Sequence, residues 1–339
     1  MNILFPFKRQ KNKFLDEIEP YFKGNFIYKE FDDSTLDINK IDVINIHWPE
    51  AIFDWKSPTD SRLNSFKEKF NKWLKKKKII YTRHNIYPHT LRTDNFIELY
   101  DFVCYNVHGV IHLGKYSVDD YKKRYKNSKA KHAMIEHPMY LSIKKQKFIY
   151  KNHQKPKNSR INLLVFGSIR LRDELNLILS AFSKLEKKYK IIFSSNVIFY
   201  PFLIKIFYLQ FLYKFIYRLF YKIKGVIFLE KGYVDEKFLI KLINQSDILI
   251  VPRIDLLNSG NLYLGLTFQK HTVVPRVGNI SEKINKYNLF GYDSNDTSSL
   301  AKAIAKASDN LEIKIKCFEH LLHPKKIAES KYNFFKNNL

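Results

Sequence analysis

Two series of short apolar segments, each followed by polar or helical sequence, constrain the fold of this chain more than any other feature. The first series covers residues 42–47, 78–82, 109–113 and 134–135, and the second begins at residues 161–166. Short runs rich in Val and Ile that alternate with helical sequence are typical of buried parallel strands and their crossover helices. The sequence therefore predicts an α/β fold with two doubly wound, Rossmann-like domains.

A polar, lysine-rich stretch separates the two series. Residues 142–160 contain Asn, Gln, Pro and Ser and show no apolar periodicity, which is typical of a linker. A chain of 339 residues is long enough for two domains that each bury a core. We predict a first domain over residues 1–145, a linker over 146–160, a second domain over 161–310 and a C-terminal helical tail over 311–339.

Polar side chains follow the predicted strands of the first half at the points where those strands end. Ligands of open parallel sheets bind beyond the carboxyl ends of the strands, and imidazole, carboxylate and guanidinium groups can move protons, bind hydroxyls or hold an anion there. A structural, hydrogen-bonded role remains the alternative for each single histidine. The residues in these positions are His47, Trp48, Glu50, Arg83, His84, Asn85, His89, His112 and His137.

Residues 251–282 combine a strand pattern, an Asn-Ser-Gly turn, an apolar helix and a further strand. A helix that begins at Ser259 and Gly260 offers unpaired N–H groups and its positive dipole end to an anion. Arg253 precedes this turn and Glu282 follows it; a cation suits a diphosphate, and a carboxylate suits the hydroxyls of a ribose. The pattern predicts a nucleotide-diphosphate site. An ordinary strand, loop and helix with a Ser N-cap is the alternative interpretation of the same sequence.

A second short motif and the two cysteines complete the list of candidate chemical groups. Gly167 and Arg170 follow the strand over residues 161–166, and Arg170 could reach a phosphate. Neither the dinucleotide fingerprint GxGxxG nor the phosphate loop GxxxxGK is present. Cys104 and Cys317 lack metal-ligand spacing and lie in apolar sequence, so we expect two buried free thiols and no metal site.

The net charge of +26 favours anionic partners. Solvated lysine faces are one interpretation, and nucleic acid is the weakest, because no nucleic-acid-binding motif occurs and the charge is spread along the chain. The stretch over residues 199–224 mixes aromatic, aliphatic and basic residues without an acidic one, which predicts either an interfacial membrane helix or a buried helix with snorkelling lysines. Neither a spanning segment nor a signal peptide is recognisable, so we expect a cytoplasmic location.

Several segments together resemble bacterial glycosyltransferases of the GT-B fold, of the group 1 or family 4 type that builds capsule, exopolysaccharide or O-antigen. The resemblance covers most of the chain. It rests on INIHWPE (44–50), YTRHNIYPH (81–89), IHLGKYS (111–117), EHPMY (136–140), VFGSIR (165–170), DILIVPR (247–253), NSG (258–260) and VGNISE (277–282).

The resemblance implies two domains that face a cleft, with the acceptor on the first domain and the nucleotide sugar on the second. It implies neither a cofactor nor a metal ion, because side chains and a helix N-terminus hold the diphosphate. By this resemblance, Arg170, Ser259 and Gly260 would contact the diphosphate, and Gly278 and Glu282 would lie near the nucleoside. Gly167 and Arg253 are the further donor-side candidates. The HWP (47–49) and HN-PH (84–89) segments would face the transferred sugar and the acceptor. The acceptor-side candidates are Trp48, Arg83, Asn85, His89, His112 and His137.

One departure from the family pattern leaves the stereochemical outcome open. Retaining family 4 enzymes commonly carry two glutamates separated by seven residues, and the matching positions here hold Leu257 and Gly265. An inverting reaction needs a general base near the acceptor hydroxyl. The candidates for that base are His47, His84, Glu50 and Asp94.

We therefore expect a metal-independent glycosyltransferase that lies on the inner face of the cell membrane. Its donor would be a nucleotide-diphosphate sugar, its acceptor a lipid-linked saccharide, and its docking partner an anionic membrane surface, with no nucleic acid partner. The alternative is a nucleotide-sugar or glycan binding protein of the same fold that has lost catalysis, which the missing glutamates would support.

Overall fold

A computed structural model describes residues 1–88, 92–145, 160–195, 207–231 and 235–338. The chain forms two compact units. The first unit comprises Met1–Tyr140, Leu256–Asn258 and Glu319–Leu339, and the second comprises Leu141–Asp255 and Ser259–Phe318.

The first unit contains a parallel sheet of strand order β2-β1-β3-β4-β5-β6 in the part of the chain that is described. Its elements in chain order are β1 (Asn2–Phe5), α1 (Lys13–Ile18), β2 (Asn25–Tyr28), β3 (Val43–Ile46), α2 (Asp60–Leu74), β4 (Lys78–Arg83), α3 (Asp94–Asn106), β5 (Gly109–His112), α4 (Lys115–Arg124) and β6 (Lys131–Met134).

The second unit contains a parallel sheet of strand order β12-β11-β10-β7-β8-β9, again for the described residues. Its elements are α5 (Leu141–Lys145), β7 (Ile161–Val165), α6 (Arg172–Ser183), β8 (Tyr189–Ser195), α7 (Phe207–Ile223), β9 (Val226–Lys231), α8 (Glu236–Gln245), β10 (Ile248–Ile250), α9 (Gly260–Thr267), β11 (His271–Pro275), α10 (Ile280–Lys286), β12 (Phe290–Tyr292) and α11 (Thr297–Asp309).

The central strands are apolar throughout because helices cover both faces of each sheet. All four residues of β3 and all three residues of β10 are buried. Helix α2 shows the complementary helical pattern, since its buried residues recur every three or four positions at Leu63, Phe66, Phe70 and Trp73. These patterns are the ones from which the α/β fold was predicted.

The C-terminal residues complete the first unit. Helices α12 (Glu319–Leu322) and α13 (Pro324–Lys336) group with it, and α13 packs against α1. Ile327, Ala328 and Phe335 of α13 are buried in the cluster that also contains Ile3 and Phe14. The sequence predicted the helices of this tail but not the domain whose core they join.

Several local predictions differ from the structure. The fourth predicted strand, at residues 134–135, lies at Lys131–Met134, and strands β1, β2 and β12 were not predicted. Cys104 is buried as predicted, whereas Cys317 is exposed, because it lies in the irregular segment before α12 rather than in a core element. Of the predicted interfacial stretch, residues 199–206 lie outside the described residues, and the remainder contains the whole of α7. None of the helices among the described residues is long and apolar enough to cross a membrane.

Candidate functional site

A chain of three nitrogen-bearing side chains lies at the carboxyl ends of β3 and β4. His47 follows β3 and His84 follows β4, and because these strands are neighbours in the sheet, His47 Nδ1 lies 2.9 Å from His84 Nε2. Lys331 of α13 places Nζ 3.1 Å from His47 Nε2 and 3.4 Å from Thr82 Oγ1. Lys331, His47 and His84 therefore form a continuous hydrogen-bonded line, called here the histidine–lysine chain.

Burial sets the protonation of this chain. His47 is 0% exposed, Lys331 1% and His84 7%. Burial lowers the pKa of Lys331 to about 7, since a charged ammonium loses its hydration inside the protein. Burial, with the charges of Lys331 and His84, lowers the pKa of His47 well below its usual value. His47 is consequently neutral at physiological pH, with one ring nitrogen as donor and the other as acceptor.

Aromatic side chains fix the two imidazole rings in place. Phe14 of α1 meets His84 edge-on at 4.9 Å between ring centroids and His47 at 5.4 Å. Trp48 stacks on His84 with centroids 4.3 Å apart and an interplanar angle of 19°. Such packing limits ring rotation, so the nitrogen of each ring that faces its neighbour is determined by the fold.

The two carboxylates predicted as bases, Glu50 and Asp94, have other surroundings. Glu50 is buried and accepts a hydrogen bond from the hydroxyl of Tyr100, and burial raises its pKa. Asp94 is exposed in the first turn of α3, where a carboxylate stabilises the positive end of the helix dipole. Among the described contacts, neither carboxylate hydrogen-bonds to the histidine–lysine chain.

Arg83 and His112, both predicted on the acceptor side, hold neighbouring elements together. The Arg83 guanidinium is 1% exposed and donates to Asp120 Oδ2 at 2.6 Å and to the carbonyl of Ser117 at 2.8 Å. His112 Nδ1 lies 2.8 Å from Ser117 Oγ, and its Nε2 lies 3.0 Å from Nδ1 of His132. Burial and the charge of Arg83 lower the pKa of His112 to about 2, so this ring is neutral.

The remaining acceptor-side candidates are His137, Asn85 and His89. His137 is buried and donates through Nδ1 to the carbonyl of Pro138 at 2.7 Å. Asn85 is buried directly after His84, and its carbonyl accepts the Tyr81 hydroxyl at 3.4 Å. His89 lies outside the described residues.

In the second unit, the loops that follow β7 and β10 are held together by one buried carboxylate. Glu174 of α6 is 2% exposed, and its Oε2 accepts the N–H of Arg170 at 2.9 Å and that of Leu171 at 3.3 Å. The same oxygen accepts Arg253 Nη1 at 3.3 Å. Gly167 begins the first of these loops with a φ of +94°, a conformation that favours glycine.

The guanidinium of Arg253, which the sequence predicted as a cation for a diphosphate, is bound by groups of the protein itself. Besides Glu174, its guanidinium donates to the carbonyls of Pro252 at 2.6 Å and Ser168 at 3.0 Å. Burial, and to a smaller extent the charge of Arg170, lowers the pKa of Arg253. Arg170 lies on the loop after β7 with an exposed side chain. Two guanidiniums around one carboxylate leave a local positive charge, which suits an anion.

The predicted helix start at Ser259 and Gly260 is confirmed. Ser259 is the N-cap of α9, and Gly260 is the first helical residue; both are half-buried, and Ser259 makes no side-chain capping bond. Asn261 Nδ2 donates to the carbonyl of Phe166 at 2.6 Å, which ties the start of α9 to the loop after β7. The first N–H groups of α9 therefore lie beside the loop that carries Arg170.

Gly278 and Glu282 lie after β11. Gly278 has a φ of +49°, and Glu282 is exposed in the first turn of α10. The buried Lys283 beside it donates to the Tyr263 hydroxyl at 2.6 Å, which fixes α10 against α9. An exposed carboxylate on a fixed helix can accept hydrogen bonds from a diol.

The structure leaves little space for a larger side chain at Gly265. Gly265 lies in α9 against β11, and a Cβ atom built on it would overlap the Thr272 hydroxyl. Leu257, at the other position of the family's glutamate pair, is 2% exposed. A glutamate at position 265 would therefore require Thr272 or α9 to shift.

Sequence reasoning missed Lys331, Glu174 and Asn261. One signal for Lys331 exists, because it lies four residues after Ile327 and four before Phe335, on the apolar face of α13. A lysine in such a position is unusual in a buried helix face. Glu174 and Asn261 carry no comparable signal, since polar residues in a first helical turn are common.

No family model matches this sequence, and neither does any curated protein sequence. Among solved structures, the sucrose-phosphate synthase of Thermosynechococcus elongatus aligns with a TM-score of 0.68 and 8% identity over 99% of this chain and 98% of that one. Anabaena HepE in complex with UDP and glucose aligns with 0.65 and 12% identity over 99% and 100%. A glycosyltransferase of Rickettsia africae aligns with 0.61 and 15% identity over 99% and 93%. The predicted GT-B fold is confirmed.

Proposed function

We propose that this chain is a glycosyltransferase that moves a sugar from a nucleotide-diphosphate sugar to a saccharide acceptor. The observation that carries the proposal is the arrangement in the second unit, where the exposed Arg170, the loop at Gly167 and the first turn of α9 lie together. Positive charge and unpaired N–H groups in one place suit a diphosphate. The ion pair of Glu174 and Arg253 would hold the loops in position for it.

Solved structures of the same fold support this choice of donor. One of them is HepE in complex with UDP and glucose, and another is the catalytic domain of starch synthase IV from Arabidopsis thaliana bound to ADP and acarbose. For this chain we assign Arg170, Ser259 and Gly260 to the diphosphate and Gly278 and Glu282 to the nucleoside. Side chains and a helix dipole would supply the positive charge, so we propose metal-independent transfer.

Calorimetric titration with UDP, GDP, ADP and CMP, without added metal ions, tests the donor site. We expect one diphosphate to bind, and Arg170→Ala to weaken that binding by about tenfold, which corresponds to about 1.4 kcal/mol for one charge-assisted contact. Ser259→Trp should abolish binding by blocking the start of α9. Arg172→Ala is the matched control, because Arg172 is exposed nearby on α6. Absence of binding to all four nucleotides, or equal losses in both arginine variants, would contradict the site.

The surface of α7 supports a lipid-linked acceptor at an anionic membrane. Tyr217 and Tyr221 anchor one side of this helix on the core of the second unit. The opposite side exposes Phe215 to 58% and Ile223 to 79%, and Lys224 lies 4.1 Å from the ring of Phe220. Exposed apolar side chains flanked by lysines are typical of helices that lie at an anionic bilayer surface.

A groove beside this helix adds to the same surface. It has a volume of about 780 Å³ and is lined by basic residues together with apolar ones, among them Arg160, Lys187, Lys224, Leu179 and Ile223. We propose that the enzyme acts on the cytoplasmic face of the membrane, in the synthesis of a capsule, exopolysaccharide or O-antigen.

Liposome flotation tests the membrane surface. Vesicles that contain the anionic lipid phosphatidylglycerol should float together with the protein at low salt, and vesicles of phosphatidylcholine alone should not. Ile223→Glu should reduce the floated fraction severalfold, because it places a negative charge where apolar insertion is expected. Ile313→Glu, at an exposed apolar position outside α7, is the control. Equal flotation of the two variants would remove α7 as the docking element.

The second candidate function is a binding protein of the same fold without catalysis. The specific observation in its favour is the absence of both family glutamates, with Leu257 and Gly265 in their places. Release of free nucleotide diphosphate from a bound donor discriminates the two functions. Donor binding without hydrolysis or transfer over a wide range of acceptors would favour the binding protein.

A further inference from the structure

Lys331 is the least expected group in the described part of the first unit. Its side chain is 1% exposed on the apolar face of α13, it lies 5.2 Å from the ring of Phe14, and its hydrogen-bond partners are His47 and Thr82. Burying a lysine is unfavourable, and an apolar side chain of similar length would pack there without that cost. Lys331 instead places a nitrogen atom beside His47, at one end of the line that the His47 and His84 rings form.

The three groups can transmit a proton because each nitrogen faces the next. The distances of 3.1 Å from Lys331 Nζ to His47 Nε2 and 2.9 Å from His47 Nδ1 to His84 Nε2 are hydrogen-bond distances. Each imidazole has two nitrogens on opposite sides, so a proton that enters at one can leave from the other. His84 is the member of this line farthest from Lys331 and the most exposed of the three, at 7%.

We propose that the histidine–lysine chain is a proton relay that carries the proton of the acceptor hydroxyl from His84 to Lys331 during an inverting sugar transfer. This inference rests on the proposed function. It ranks His84 above the other three candidate bases and assigns Lys331 and His47 as positioning residues that act through it.

The proton balance of the step is complete within the chain. The acceptor oxygen forms a bond to the anomeric carbon, and the bond from that carbon to the diphosphate oxygen breaks, with its electron pair leaving on the nucleoside diphosphate. The hydroxyl proton enters His84 at Nδ1, and the proton on His84 Nε2 moves to His47 Nδ1. The proton on His47 Nε2 moves to the neutral Lys331 amine, which becomes an ammonium, and it returns to solvent along the same path after product release.

The charge of Lys331 determines whether the relay can accept a proton. When Lys331 is an ammonium it can only donate, so His47 carries its proton on Nδ1, His84 Nε2 accepts it, and His84 Nδ1 is already protonated. When Lys331 is neutral, its amine can accept the proton of His47 Nε2, and His47 Nδ1 can accept the proton of His84 Nε2. A terminal group whose pKa lies near 7 suits this task, because it is partly neutral at physiological pH and still basic.

Other titratable groups surround the relay on the elements that pack against α13. These groups are Asp16 and Glu17 on α1, Glu19 and Tyr21 directly after it, His323 beside Tyr21, and His137 against Phe14. Arg9 neutralises Asp16 and Glu19 through ion pairs of 2.6 and 2.7 Å. Burial alone accounts for the lowered pKa of Lys331.

Nitrogen NMR of the ¹⁵N-histidine-labelled protein tests the relay without substrate. His47→Gln and His84→Gln variants assign the two rings among the 11 histidines. We expect a single tautomer of both rings at pH 6, and nitrogen shifts that move toward a tautomer mixture with a midpoint near pH 7. Lys331→Met should abolish that transition, and Lys326→Met, an exposed lysine on the same helix, should preserve it. Shifts that do not change with pH, or that change equally in Lys331→Met, would overturn the relay.

Steady-state kinetics and product NMR test its role in catalysis. In the wild type, kcat/KM should rise with pH through a midpoint near 7, and the product should have the inverted anomeric configuration. Lys331→Met should lower kcat by about tenfold or more with KM unchanged and should displace the midpoint, because His84 then lacks the terminal proton acceptor and loses part of the roughly 10²–10⁴ in rate that a general base contributes. Calorimetric donor binding should stay intact in this variant, which shows that it folds.

The outcomes separate the relay from the proposed function. Transfer with retained configuration would overturn the relay and leave a glycosyltransferase. Transfer whose pH profile is the same in Lys331→Met as in the wild type would do so too. Failure of the wild type to bind or use any donor would overturn the proposed function, and with it the role of the relay.

Discussion

The buried Lys331 predicts how stability depends on pH. Its pKa falls from 10.5 to about 7 on folding, so between these values the unfolded chain binds more protons than the folded chain. The free energy of unfolding therefore rises with pH across this window, by at most about 1.4 kcal/mol per pH unit. From pH 7.5 to 9.5 the contribution is about 2.5 kcal/mol. It is fully present above the unfolded pKa and is lost as pH falls through the folded one.

Urea unfolding of the wild type and of Lys331→Met at pH 7.5, 8.5 and 9.5 measures this contribution. The methionine variant lacks it, so the difference in unfolding free energy should shift in favour of the wild type by about 2.5 kcal/mol across the series. Other titrations cancel in that difference, and the lowered pKa of His47 keeps its ring neutral in the folded chain across this range. A difference that stays constant within about 0.5 kcal/mol, like that expected for the exposed control Lys326→Met, would refute a neutral buried Lys331.

Two further predictions concern the second unit. Gly265→Ala should destabilise the protein by about 1–3 kcal/mol, because its methyl group overlaps Thr272, and differential scanning calorimetry should show a lowered Tm; an unchanged Tm would mean that α9 moves freely from β11. Glu174→Ala should cost about 3 kcal/mol in urea unfolding, since it leaves the half-buried Arg253 guanidinium without its carboxylate, and it should also weaken nucleotide-diphosphate binding. A loss of stability without any loss of binding would show that the loops after β7 and β10 do not form the donor site.

The part of the site that could be predicted from sequence is the part that follows from strand order. His47 and His84 follow two segments that read as buried parallel strands, and neighbouring parallel strands end at one edge of a sheet. Ser259 and Gly260 were predicted as a helix start from their position between an apolar strand and an apolar helix, and they form the first turn of α9. Local patterns were sufficient for these residues.

The parts that could not be predicted depend on pairs that are distant in sequence. Lys331 and His47 are separated by 284 positions, and Arg253 and Glu174 by 79. In both pairs the role depends on the partner. From the sequence alone, Arg253 is interpreted as a cation that can bind a phosphate, and Lys331 is interpreted as a solvated surface lysine. In a chain with a net charge of +26, a single buried lysine is difficult to recognise, because the default interpretation of each lysine is a solvated surface residue.

The proposed relay needs a buried amine at position 331, whereas an apolar side chain there would be more favourable for folding. This conflict gives the most specific prediction of the relay. Near pH 7, a methionine on the apolar face of α13 would avoid the cost of burying an amine beside Phe14 and Phe335. Lys331→Met should therefore be at least as stable as the wild type at pH 7 and still turn over more slowly. A variant that is both less stable and slower at that pH would indicate that Lys331 supports packing alone. A stable variant with lowered kcat and a displaced pH midpoint would indicate that its nitrogen serves the reaction.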